Sequence, residues 1–228
     1  MYLQGALWII GVGLQILVIS SLLRGAHKRF PFVLAYSITL FLTTIVEIAS
    51  MIDNGGFTAK AANFYWINDL ILTSLVYCVV ISLIYSALSP DRRARIGRWL
   101  IIGAALVALI SATVHRDDVY RSLERTKLSR DLNFAAAGLD MLLWLILLAS
   151  RRRERELLMV SGGLGIQFTG AAIGHSLRQL SQNWPGAVFA GSLIIVITHF
   201  MCLYVWWEAF RKESHRGNPA VITAKKWG

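Results

Sequence analysis

Lysine is missing from every long apolar stretch of this chain. All six (Lys28, Lys60, Lys127, Lys212, Lys225 and Lys226) stand between such stretches or after the last. A retinal Schiff base, which needs a lysine amine inside a span, is therefore excluded. Cysteine is nearly absent. Cys78 and Cys202 both fall within apolar runs, so no disulfide framework or thiolate metal site follows. Each reads as a small buried hydrophobe. Charge is scarce as well, at 16% of residues against about 25% in a soluble domain. Neither H-E-x-x-H nor G-x-S-x-G occurs, and Gly11-Val12-Gly13 sits in an apolar helix rather than a phosphate loop. A haem bridging His175 and His199 would need both imidazoles at one depth, whereas counting residues separates them by roughly 13 Å. These absences point away from an enzyme and imply no cofactor and no metal.

Seven apolar runs fill most of the 228 residues: Leu3–Leu23, Pro31–Ile52, Phe64–Leu88, Gly97–Val114, Leu132–Ser150, Leu157–Leu180 and Pro185–Phe210. About 20 apolar residues in helix cross a hydrocarbon core of roughly 30 Å. The expected fold is all-α, a polytopic integral membrane protein built as a seven-transmembrane-helix bundle. Residues 1–212 form the membrane domain and 213–228 a loosely ordered cytoplasmic tail. The first run is too long for a cleaved signal's apolar region and ends in positive charge, so it reads as a retained helix. The segment His115–Asp131 reads as a loop with a short surface helix.

The net charge of +10 is distributed unevenly. Sixteen of the 23 basic residues follow runs one, three, five and seven, as in Arg92-Arg93-Ala94-Arg95 and Arg151-Arg152-Arg153. Positively charged loops stay cytoplasmic, so the amino terminus is expected outside and the carboxyl terminus inside a cell membrane. Anionic headgroups of the inner leaflet are then the partner of the basic loops, and no nucleic acid is implied. Tyr65, Trp66 and Trp184 are expected in an aromatic belt near the outer face, with Trp99, Trp206 and Trp207 near the inner one.

Ionisable residues inside a span are costly, about 2.5–3.5 kcal/mol on insertion scales, and turn toward the bundle interior or water. Glu47, Asp69 and His175 each lie five residues from the outer end of a run, roughly 8 Å deep, and Asp140 roughly 12 Å deep. Asn68 and Arg178 lie near the same level. Tyr36, Thr39, Thr43, Glu47 and Ser50 share one helix face, as do Asp69, Thr73 and Tyr77 on the next run. Glu47, Asn68, Asp69, Asp140, His175 and Arg178 are accordingly the candidate ligand-binding residues of an outward-facing polar pocket. The competing reading pairs the same groups between helices. Run six is rich in glycine, and Gly170 and Gly174 form a small-xxx-small pair suited to close helix packing.

The expected function is a receptor-like or sensory membrane module that binds a small ligand or ion outside and couples to a cytoplasmic partner. A small transporter or ion pathway is the alternative, requiring the polar stripe to continue inward. An accessory subunit paired with a membrane protein partner is a third.

Overall fold

The computed structural model describes residues 2–54, 59–88, 98, 102–103, 121–149, 155–180 and 186–216, with the backbone alone for 2–4, 51–54, 59–66, 69–70, 121–133, 149, 179 and 212–216. The protein is all-α: among the described residues no strand occurs. The helices are α1 (Tyr2–Leu23), α2 (Pro31–Asn54), α3 (Ala59–Ala87), α4 (Arg121–Ala149), α5 (Arg155–Gln179) and α6 (Ala187–Arg216). A 3-10 turn, Ala26–Lys28, joins α1 to α2. Pro31 opens α2 at the position where a missing N–H costs nothing.

Among the described residues four helices are long and apolar enough to cross a membrane, over Gly5–Leu23, Pro31–Ser50, Arg155–Arg178 and Ala187–Arg211. In α3 and α4 the apolar stretches found among the described residues are Ile71–Ala87 and Phe134–Leu148. The expected span Gly97–Val114 lies outside the described residues except for Arg98, Ile102 and Gly103, which are helical. The loop expected through Asp131 is corrected in part: from Arg121 onward it is the beginning of α4, continuous for 29 residues. Leu, Glu, Arg and Lys are strong helix formers, and nothing around Asp131 breaks the helix. α6 likewise continues to Arg216, beyond the expected start of the tail.

Among the described residues the helices close into a ring. α1 packs on α2 and α6, α2 on α3, α3 on α4, α4 on α5, and α5 on α6. The α5–α6 pair is the most intimate, and glycine explains why. A Cβ on Gly174 would lie 2.6 Å from the Gly191 carbonyl oxygen, and one on Gly191 would lie 2.5 Å from the Gly174 carbonyl oxygen. A Cβ on Gly170 would collide with the Thr198 side chain. Removing the side chains lets the two backbones touch, as expected of the small-xxx-small pattern.

Gly163 provides the next such gap, and Trp206 fills it. The indole Cδ1 stands 2.9 Å from where a Gly163 Cβ would be. Its N–H donates to the Val160 carbonyl at 2.9 Å, and its ring meets Tyr36 edge-on at 5.8 Å. Trp206 was expected in the interfacial belt but is fully buried, because the glycine opened a slot for it. Cys78 also departs from expectation and is exposed, whereas Cys202 is buried.

The end of the ring that carries Arg29 is packed with apolar side chains. Leu22, Phe30, Leu157, Leu203 and Phe210 are all at most 3% exposed, and the Phe30 and Phe210 rings lie 5.4 Å apart. Beside them Arg29 Nη1 and Glu156 Oε2 pair at 2.5 Å. The outward surface, by contrast, is apolar: Ile9, Leu42, Met141, Phe189 and Tyr204 are each more than half exposed. An apolar exterior around an interior holding Gln15, Ser37 and Thr43 is what a hydrocarbon solvent demands.

Candidate functional site

Most hydroxyls of the helices are occupied locally. Ser37, Thr43, Thr44, Ser176, Ser192 and Thr198 each donate to the carbonyl four residues earlier. Such back-bonding satisfies a hydroxyl where water is absent. It leaves the oxygen's lone pairs free to accept, and the interhelical bonds use them. Gln15 Nε2 donates to Thr44 Oγ1 at 3.1 Å, joining α1 to α2. Thr43 Oγ1 lies 2.8 Å from Asn68 Oδ1, joining α2 to α3. Because Thr43's single proton serves Thr39, the Asn68 amide satisfies this contact best with its NH2 group turned toward the hydroxyl.

Arg178 and His175 stand one turn apart near the carboxyl end of α5. Arg178 Nη2 donates to Ser192 Oγ of α6 at 2.9 Å. Its aliphatic stem crosses Gly191, with Cγ 3.1 Å from where a Cβ would stand, so glycine is what admits the arginine between the helices. Arg178 Nε and His175 Nδ1 are buried and have no hydrogen-bond partner among the described residues. Polar atoms buried without a partner are rare and costly, which makes this pair the most conspicuous polar feature of the bundle.

Glu47 is half-buried on α2, one turn beyond Thr43, and no bond or ion pair engages it among the described residues. For Asp69 the backbone alone is described, within α3, so its expected role lies outside the described side chains. The level of Glu47 follows from the bond in which Gln167 Nε2 of α5 donates to Tyr36 Oη of α2 at 2.9 Å. Glu47 is eleven residues beyond Tyr36 and His175 eight beyond Gln167, about 16 and 12 Å respectively in the same direction. Glu47, Asn68, His175 and Arg178 therefore gather toward one end of the ring.

Asp140 does not join them. It is 2% exposed and accepts a hydrogen bond from Ser161 Oγ at 2.8 Å. Ser161 lies fourteen residues before His175 on α5, about 21 Å along the helix. The shared depth expected for Asp140 is thus corrected, since its partner lies in the half of α5 nearer Arg29. Gln167 is a further buried polar group that the apolar runs do not single out, and its Oε1, like Gln15 Oε1, has no hydrogen-bond partner among the described residues. The available signal was spacing: Gln167 lies two turns before His175, on the same face of α5.

Among the described residues no three His, Cys, Asp or Glu side chains gather into a set able to hold a metal ion. What the Arg178 end offers is a guanidinium N–H and an imidazole nitrogen with unspent hydrogen-bonding capacity, at a level of the bundle similar to that of Glu47. Such an arrangement can bind and orient a small polar molecule. Comparison with protein-family models, with curated proteins and with solved structures finds no match for this chain.

Proposed function

We propose that this chain is a seven-helix membrane receptor or sensor. Its amino terminus faces outward, its carboxyl terminus faces the cytoplasm, and Glu47, Asn68, Asp69, His175 and Arg178 face an outer polar pocket. The observation that carries the reading is the pair of buried groups without a partner among the described residues, the Arg178 Nε donor and His175 Nδ1, at the end of the bundle opposite the apolar packing of Phe30 and Phe210. The charge of Arg178 selects an anionic group on the ligand, and a planar guanidinium holds a carboxylate or phosphate by paired hydrogen bonds. Binding there reaches the crossing of α5 and α6, so a ligand that prefers one packing of that pair shifts the equilibrium between packings. The basic loops at the other end meet anionic headgroups and a cytoplasmic partner. The apolar packing around Phe30 and Phe210 supports a sensing role over the transport alternative, which needs a polar stripe continuing to that end.

Two measurements test this. In whole cells, with Cys78 and Cys202 changed to serine, a membrane-impermeant maleimide should label Ser192→Cys and leave Arg24→Cys, which is exposed at the opposite end, unlabelled; the reverse pattern overturns the orientation. In detergent, glutamate, acetate or phosphate should raise the unfolding temperature of the wild-type chain but not of Arg178→Ala. Saturation at a hundredfold excess over Kd stabilises by about 2.7 kcal/mol. A shift that survives in Arg178→Ala removes the anion site.

A further inference from the structure

A second site is built into the flank of the bundle. A groove of about 970 Å³ runs between α4, α5 and α6, and neither His175 nor Arg178 lines it. Its walls include Phe134, Met141, Trp144 and Leu145 of α4, with Ile166 and Ile173 of α5. Met141 is 66% and Leu145 56% exposed, so this side opens onto the apolar exterior rather than the ring's interior. At its floor lies one carboxylate, Asp140. Ser161 occupies Oδ1, while Oδ2 stands 2.9 Å from where a Cβ on Gly165 would be. Only a glycine at 165 leaves that oxygen uncovered, and no donor among the described residues meets it.

We propose that this groove binds a membrane-dissolved alcohol or phenol: an apolar body lying along the walls, with its hydroxyl donating to Asp140 Oδ2. Three observations select that chemistry. The groove opens where lipid surrounds the helix, so an occupant arrives through hydrocarbon and must be apolar. Its volume lies at the upper end of the roughly 300–1,000 Å³ typical of small-molecule sites. The floor lacks one donor, and lipid tails alone leave Oδ2 unpaired, whereas a hydroxyl satisfies it without carrying charge into the bilayer. Asp140 thus belongs to a lateral, lipid-side site, independent of the anion pocket proposed above.

The test uses dicyclohexylcarbodiimide, a hydrophobic reagent that adds to carboxyl groups reached from the bilayer, with the chain in nanodiscs and the adduct located by peptide mass spectrometry. Asp140 should be modified in the wild-type chain, and Asp140→Asn should lose that adduct alone. Thr169→Trp, which fills the exposed rim without touching the core, should slow modification of Asp140 at least fivefold. Farnesol should protect Asp140 in a saturable manner, and the hydrocarbon farnesane should not. Absence of the adduct on a folded chain overturns lipid access. Equal protection by farnesane overturns the hydroxyl assignment. Labelling in nanodiscs that is blocked in native membranes and restored by mild detergent means a protein, a second copy included, covers the groove, and that too overturns the proposal.

Discussion

Replacing Gly174 by alanine isolates the contact that sets the spacing of α5 and α6. The added methyl carbon would sit 2.6 Å from the Gly191 carbonyl oxygen and closer still to Ile195 Cγ1. The carbonyl belongs to a helix backbone and cannot rotate away, so the helices must separate. Overpacking of this kind costs about 1–3 kcal/mol, and a backbone obstacle puts the cost toward the upper end. Against it stands the intrinsic preference of helices for alanine over glycine, about 0.8–1 kcal/mol. The net expectation is a loss of about 1–2 kcal/mol for Gly174→Ala. Gly13→Ala is the control: nothing lies within 4 Å of its would-be Cβ, so only the favourable term applies. The two variants should differ by about 2–3 kcal/mol, read from unfolding in increasing mole fractions of dodecyl sulfate. Finding Gly174→Ala as stable as Gly13→Ala would refute backbone contact between α5 and α6.

Trp206→Ala empties the Gly163 slot and leaves the Val160 carbonyl without its donor, so it should cost about 3–5 kcal/mol in the same unfolding assay. Ser161→Ala deprives a carboxylate that is 2% exposed of its hydrogen bond and should cost about 1–3 kcal/mol, while Asp140→Asn, which keeps an acceptor for Ser161, should cost less. Arg29→Ala should cost less than about 1 kcal/mol, and less again in high salt, because the Arg29 side chain is 40% exposed where it meets Glu156.

Much of the helical framework was legible because apolar runs and helix ends coincide in this chain. The run Leu3–Leu23 appears as Tyr2–Leu23, and both the run and the helix that follow begin at Pro31. That α5 packs closely on a neighbouring helix was equally readable, since Gly170 and Gly174 repeat at the spacing that aligns them on one face, but that the neighbour is α6 emerges only from the Gly191 contact. Hydropathy failed where a helix continues into charged residues, at Arg121–Asp131, because apolarity no longer marks the chain there while helix propensity persists. The depth of Asp140 was misread for a related reason. Counting from the first apolar residue of a run ignores how far the helix extends and how it is offset from its neighbours, and only the bond to Ser161 fixes its level. No pattern in the sequence distinguishes a carboxylate facing the ring's interior from one opening sideways, as the Gly165 gap does.

The short turn between the first two helices is held by residues far along the chain. Arg29 meets Glu156 at a separation of 127 residues, and the Phe30 ring packs at a tilt on Phe210, in the penultimate turn of α6. Because α6 also packs on α1, the earliest connection made during synthesis acquires its native neighbours only after the last helix has inserted. Closing the ring is therefore a late event of high contact order, and a nascent chain lacking α6 has its first hairpin in place but unclasped.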